Sequence, residues 1–183
     1  VIASSPTGDV TLSLPQSIAT TSDVTFGSVA FSPTTKGIVG TATNNNASAG
    51  YVGEFISSNI AAGSATSLTT NTPKNITSIS LTAGDWDVWG NATFIYNAAT
   101  EVSNCVCAIN STSAALPDDS LFAIMQLGNA AAGVTLAVTQ LGLCAPSRRF
   151  SLSGTTTIYI VAQSSFVTNT GSVCGGIYAR RVR

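Results

Sequence analysis

Polar and apolar residues alternate most regularly from position 85 to position 97. The even positions Trp86, Val88, Gly90, Ala92, Phe94 and Tyr96 are mostly apolar. The odd positions Asp85, Asp87, Asn91, Thr93 and Asn97 are polar, interrupted by Trp89 and Ile95. A period of two marks a half-buried strand, so the even face should meet a core and the odd face solvent. A Trp on the polar face needs a partner, either another chain or a ligand.

Further strands are predicted at 75–82, 103–110, 120–127, 134–143, 148–153, 155–163 and 173–182. Turn residues separate them: Ala83-Gly84, Pro117-Asp118-Asp119, Gly128-Asn129, Gly154 and Asn169-Thr170-Gly171. Strands and turns at this spacing, with no alternating strand-helix order, predict an all-β fold. The expected form is an antiparallel, jelly-roll-like β-sandwich. The segment 51–62 is ambiguous. Val52, Phe55, Ile56 and Ile60 fit helical spacing, yet Gly53 and Gly63 limit any helix, so helix and strand stand equal.

Residues 1–40 form a separate pattern. Extended pieces at 9–14 and 24–31 are closed by Pro15 and Pro33, with too few apolar residues to make their own core. A Gly-, Thr- and Asn-rich stretch follows from 36 to 50. The organisation predicted is a fibre-shaft-like segment at 1–40 and a β-sandwich head at 41–183.

Composition then narrows the chemistry. Only 8% of the 183 residues are charged, the formal net charge is -1, and there is no His. Ser, Thr and Asn number 24, 25 and 12, a third of the chain. Without His there is no Ser-His-Asp triad, Cys-His dyad or His-ligated zinc. The near-neutral balance gives no electrostatic footprint for nucleic acid. No apolar run is long enough to span a bilayer as a helix, and no N-terminal signal segment is expected. No cofactor or metal is expected, and no phosphate loop or nucleophile elbow occurs. Cys105, Cys107, Cys144 and Cys174 read foremost as buried reduced thiols. A disulfide from Cys144 or Cys174 to the C-x-C pair is the second reading.

The candidate binding residues are Trp89, Asp85, Asp87, Tyr96, Asp118 and Asp119. Asp85, Asp87 and Trp89 share one strand face, where a ring can stack on sugar C–H bonds while carboxylates accept hydroxyl protons. Tyr96 and Tyr51 are further stacking candidates. Asp118 and Asp119 lie in a turn, where a solvated role competes with a functional one. Five of the seven cations are Arg148, Arg149, Arg180, Arg181 and Arg183. Such a group can pair with Asp and Glu or meet phosphates and acidic sugars. The first expectation is pairing within an assembly, the second contact with a receptor. Loops at 97–103, 111–119 and 164–172 are the expected sites of variable contact chemistry.

Three runs carry a resemblance: GDVTLSLPQSIATTSDVTFGSVAF near the start, LTTNTPKNITSISLTAGDWDVWGNATF in the middle, and GGIYARRVR at the end. They resemble the C-terminal receptor-binding tip of bacteriophage tail fibres of Gram-negative hosts, with Acinetobacter a candidate host. The resemblance implies a homotrimer joined to the remainder of a tail fibre, assembled in the host cytoplasm and carried on the virion. It implies non-catalytic adsorption to a bacterial surface glycan or outer-membrane receptor. The family has no fixed binding motif to carry over. Two rivals are a polysaccharide depolymerase, built on some pair among Asp85, Asp87, Glu101, Asp118 and Asp119, and a purely structural trimerisation or capping domain.

Overall fold

The computed structural model describes residues 2–4, 10–12, 42–97, 100–128, 134–135, 139–167 and 170–183. Two compact units emerge, Val1–Asn44 and Asn45–Arg183. In the first, β1 (Ile2–Ser4) pairs antiparallel with β2 (Val10–Leu12). The expected extended piece at 24–31 lies outside the described residues.

The second unit is all-β. Its strands are β3 (Phe55–Ile60), β4 (Thr66–Ser67), β5 (Lys74–Leu81), β6 (Gly84–Tyr96), β7 (Glu101–Asn110) and β8 (Phe122–Gln126). They continue as β9 (Val134–Thr135), β10 (Gln140–Leu152), β11 (Thr156–Val167) and β12 (Gly171–Arg181). One sheet has the order β10-β6-β12-β3, and β4 continues the β3 edge along β12. The other has the order β5-β11-β7-β8, and β9 pairs with β7. All these pairings are antiparallel.

The two sheets share one core. Trp86, Val88, Ala92 and Phe94 from β6 meet Ile79 from β5, Ile109 from β7, and Ile158 and Ile160 from β11. The even face of β6 is therefore buried, as its alternation predicts. Burying these aromatic and β-branched side chains removes apolar area from water, at about 25 cal/mol per Å².

Three expectations change. The ambiguous segment is a strand over Phe55–Ile60, because Ile56, Ser58 and Ile60 turn inward beside Ala179, Ile177 and Gly175. The two strands expected at 134–143 and 148–153 are largely one, β10, which runs through Pro146 with a register shift between Ala145 and Arg148. A Pro is tolerated there because β10 is an edge strand and the bulge suspends the ladder. The supposed loops at 97–103 and 164–172 are shorter than expected among the described residues, since 101–103 belongs to β7, 164–167 to β11 and 171–172 to β12.

All four cysteines are free thiols, so the disulfide reading is set aside. Cys105, Cys107 and Cys174 are buried, but Cys144 is exposed, against the expectation that all are buried. Cys144 pairs in register with Asn91, which puts it on the outer face of its sheet.

Candidate functional site

The outer face of the β10-β6-β12-β3 sheet gathers residues from strands distant in sequence. Trp89 on β6 stands opposite Tyr178 on β12, and Arg180 on β12 stands opposite Phe55 on β3. Their rings form a cluster. Trp89 and Tyr178 have centroids 6.1 Å apart at 22°, Phe55 and Tyr178 6.4 Å at 22°, and Phe55 and Trp89 6.0 Å at 43°. Trp89 is 37% exposed and Phe55 36%, so the cluster presents apolar surface to solvent.

The backbone beside the cluster is shaped for it. Tyr178 Oη donates to Asn59 Oδ1 at 2.6 Å. This bond lies over Gly176, where an added Cβ would run into Asn59 Oδ1 and the Tyr178 hydroxyl. Gly175 before it has φ +144°, a conformation that L side chains rarely adopt.

Charged groups flank the rings. Asp87 lies in register between Arg149 on β10 and Arg180 on β12. Asp87 and Arg180 are exposed, and neither makes a hydrogen bond or ion pair among the described residues. Together with Trp89, Ser147, Arg148 and Arg149 they line an open cleft of about 410 Å³. Ser147 lies at the β10 bulge, so the irregularity at Pro146 shapes one wall of the cleft.

Asp85 behaves differently from Asp87. It is 3% exposed and takes a two-pronged contact from Arg149, Nε to Oδ1 at 3.0 Å and Nη2 to Oδ2 at 2.6 Å. Arg183 is its second cation. The hydrogen bonds from Arg149 hold the Asp85 carboxyl below its ordinary range, against the opposing effect of desolvation. Asp85 is thus a structural anchor satisfied within the chain, the intrachain form of the expected pairing between Arg and acidic residues. The same holds for Arg181, which faces inward and pairs with Glu54.

No family model and no curated protein matches the chain. Solved structures give distant likenesses only. A structure of the infectious bursal disease virus VP2 subviral particle is similar over 80% of this chain and 37% of that one, at 10% identity and TM-score 0.34. A structure of the Gx strain of infectious bursal disease virus is similar over 70% of this chain and 32% of that one, at 13% identity and TM-score 0.31. The chain thus spans about a third of the length of these two chains. Likeness at this level carries no conclusion about function.

The remaining candidates fall away from the cleft. Tyr96 is 2% exposed, and its hydroxyl is engaged by Ser164 Oγ at 2.6 Å and Cys105 Sγ at 3.1 Å. It cannot stack on a ligand, because its even position points it into the core with Phe94. Burial, aided by the Cys105 contact, pushes the Tyr96 phenol far above its usual range. Asp118 caps the short turn Asp119–Leu121, accepting from Ser120 N at 3.1 Å and Ser120 Oγ at 2.8 Å. These bonds lower its pKa, and it serves the turn it sits in. Asp119 is exposed in that same turn before β8, a strand of the other sheet. Tyr51 is exposed in the turn preceding β3.

Of the predicted site, Trp89 and Asp87 share the cleft. Arg149 and Arg180 line it with them, and Phe55 and Tyr178 stand beside Trp89 in the ring cluster. Phe55 was hidden by the helical spacing of its segment. Tyr178 carried a signal, since it alternates with Arg180 on one face of β12.

Proposed function

We propose that this chain is the receptor-binding tip of a bacteriophage tail fibre, a virion component that adsorbs to a bacterial surface polysaccharide without cleaving it. The observation that carries the reading is the solvent-facing ring cluster of Phe55, Trp89 and Tyr178 beside Asp87 and Arg180, which have no ion-pair partner among the described residues. Sugars offer C–H faces to rings and hydroxyls to charged acceptors and donors, so this pairing suits a glycan. The rings are held by a sheet rather than a loop, which keeps the ordering entropy of binding small.

The sequence resemblance of the N-terminal, middle and C-terminal runs supplies the tail-fibre setting and the homotrimer. Three copies on one rigid fibre convert weak glycan contacts into avidity. Attachment to the rest of the fibre would run through the N-terminal segment. The surface rich in Ser, Thr and Asn suits hydroxyl-rich partners, because neutral groups bind without desolvating charge.

The test is labelling of susceptible cells with fluorescent protein before and after periodate oxidation of their surface glycans. The reading expects labelling to fall on oxidation and to survive protease treatment of the cells. Labelling lost to protease and unchanged by periodate would replace the glycan with an outer-membrane protein. Shortened polysaccharide after incubation would replace adsorption with depolymerisation.

A further inference from the structure

The cleft beside Trp89 is unusual for this chain. Four of the seven cations, Arg148, Arg149, Arg180 and Arg183, lie in it or beside it, in a protein of net charge -1. They are not equally available. Arg183 and one edge of Arg149 are held by Asp85. Arg148 gives an Nη1 hydrogen to Ile109 O at 2.5 Å and rests over the Phe150 ring, its guanidinium carbon 4.9 Å from the centroid. Arg180 is exposed and makes no hydrogen bond or ion pair among the described residues. Counting these four Arg against Asp85 and Asp87 leaves a local charge of 4 − 2 = +2.

We infer that the cleft takes a sugar bearing an anionic substituent, with the anion on Arg180 and Arg149, a ring hydroxyl on Asp87 and a sugar face on Trp89. The inference rests on the glycan reading above and adds the class of glycan. Guanidinium forks match the two oxygens of a carboxylate or the oxygens of a phosphate, giving charge-assisted hydrogen bonds. Asp87 makes the site selective. A bare anion would meet this carboxylate, whereas an acidic sugar offers Asp87 a hydroxyl to accept. The aromatic surface alone would favour a neutral glycan. The cations are what change the class.

The test uses glucuronate, glucose 6-phosphate, glucose and inorganic phosphate, each titrated into the whole chain at low salt. The two indole N–H groups of Trp86 and Trp89 are followed by two-dimensional NMR, assigned with Trp89→Phe. The expected result is a saturable shift of Trp89, with Trp86 unmoved. Glucuronate or glucose 6-phosphate should bind about tenfold more tightly than glucose, and added salt should erase the difference. Whichever of the two binds more tightly identifies carboxylate or phosphate as the anion. Inorganic phosphate should leave the Trp89 signal in place. Arg180→Gln should bring both acidic sugars to the level of glucose while leaving the melting temperature unchanged. Equal binding of glucose and the acidic sugars, with no effect of Arg180→Gln, would overturn the anionic class and leave the glycan reading intact. Binding of phosphate alone would overturn the role given to Asp87. No shift with any sugar would remove the glycan reading and this inference together.

Discussion

Arg181 Nε donates to Glu54 Oε2 at 2.9 Å, with both side chains almost fully shielded from solvent. The same guanidinium reaches Ala83 O at 2.8 Å and Thr82 Oγ1 at 2.5 Å, and lies 4.3 Å from the Trp86 ring centroid. The pair ties the turn before β3 to the turn before β6. Burial alone would raise the Glu54 pKa, but the Gly50 N–H and the Arg181 guanidinium outweigh it and the carboxyl ends below its ordinary value.

Glu54→Gln leaves Arg181 without its counter-charge, and is expected to destabilise the fold. Glu54 sits beside an edge strand rather than deep in the core, so the cost lies between those of exposed and buried pairs, about 2 kcal/mol. Glu54 and Asp85 both have lowered pKa values, so the unfolded chain takes up protons first as pH falls. Their stabilisation is present above the ordinary carboxyl range of about pH 4 and is lost below it. With no His, no side chain of ordinary pKa titrates from pH 5 to 7. Thermal melting should be flat over that range and fall in acid, with a shallower acid slope in Glu54→Gln.

The thiols should differ sharply in reactivity. Cys144 is exposed, while burial pushes the Cys107 thiol up to about 12 and raises that of Cys105. Thiolates are the reactive form, so a maleimide should modify Cys144 alone in the native protein and all four after denaturation. Rapid native labelling of Cys105 or Cys107, read by mass spectrometry, would contradict this core.

Much of the fold was legible in the sequence, and the reasons are local. The β6 alternation is regular apart from Trp89 and Ile95, so Trp86, Val88 and Phe94 could be assigned to the core and Trp89 to the open face. The break predicted between 143 and 148 is absent because β10 is an edge strand whose bulge accommodates Pro146, and no local pattern marks an edge. Phe55 misled because Val52, Phe55, Ile56 and Ile60 fit a helix as well as Ile56, Ser58 and Ile60 fit a strand. The site was half legible. Strand neighbours such as β3, β12 and β6 are not consecutive in the chain, so no local pattern could place Phe55 or Tyr178 beside Trp89. Tyr96 shows the opposite case. Its position on the even face already opposed a role as an exposed ring.

Gly176→Ala tests whether the ring cluster depends on the backbone beneath it. The new methyl would displace Asn59 and the Tyr178 hydroxyl, breaking their hydrogen bond. The expected outcome is a destabilisation of about 1–2 kcal/mol and a loss of sugar binding larger than Tyr178→Phe produces. Calorimetric melting and titration on the two variants provide the comparison.

The two compact units predict a division of labour. A chain of residues 45–183 contains the whole sandwich and its core. It should melt cooperatively on its own, while light scattering finds the full chain trimeric and the shortened one monomeric at micromolar concentration. A full chain that is a monomer near 18.5 kDa would remove the fibre setting. It would leave the glycan cleft to be judged by itself.

The most direct measurement is the affinity of wild type and Trp89→Ala for surface polysaccharide purified from a strain that the protein labels. Trp89 lies on the outer face, away from the shared core, so its removal costs its contacts with Phe55 and Tyr178, about 1 kcal/mol, and leaves the sandwich folded. Loss of the ring surface under the sugar C–H face should weaken binding by at least tenfold, about 1.4 kcal/mol or more. Unchanged affinity in a folded Trp89→Ala protein would contradict the account, since the aromatic face would then have no part in adsorption.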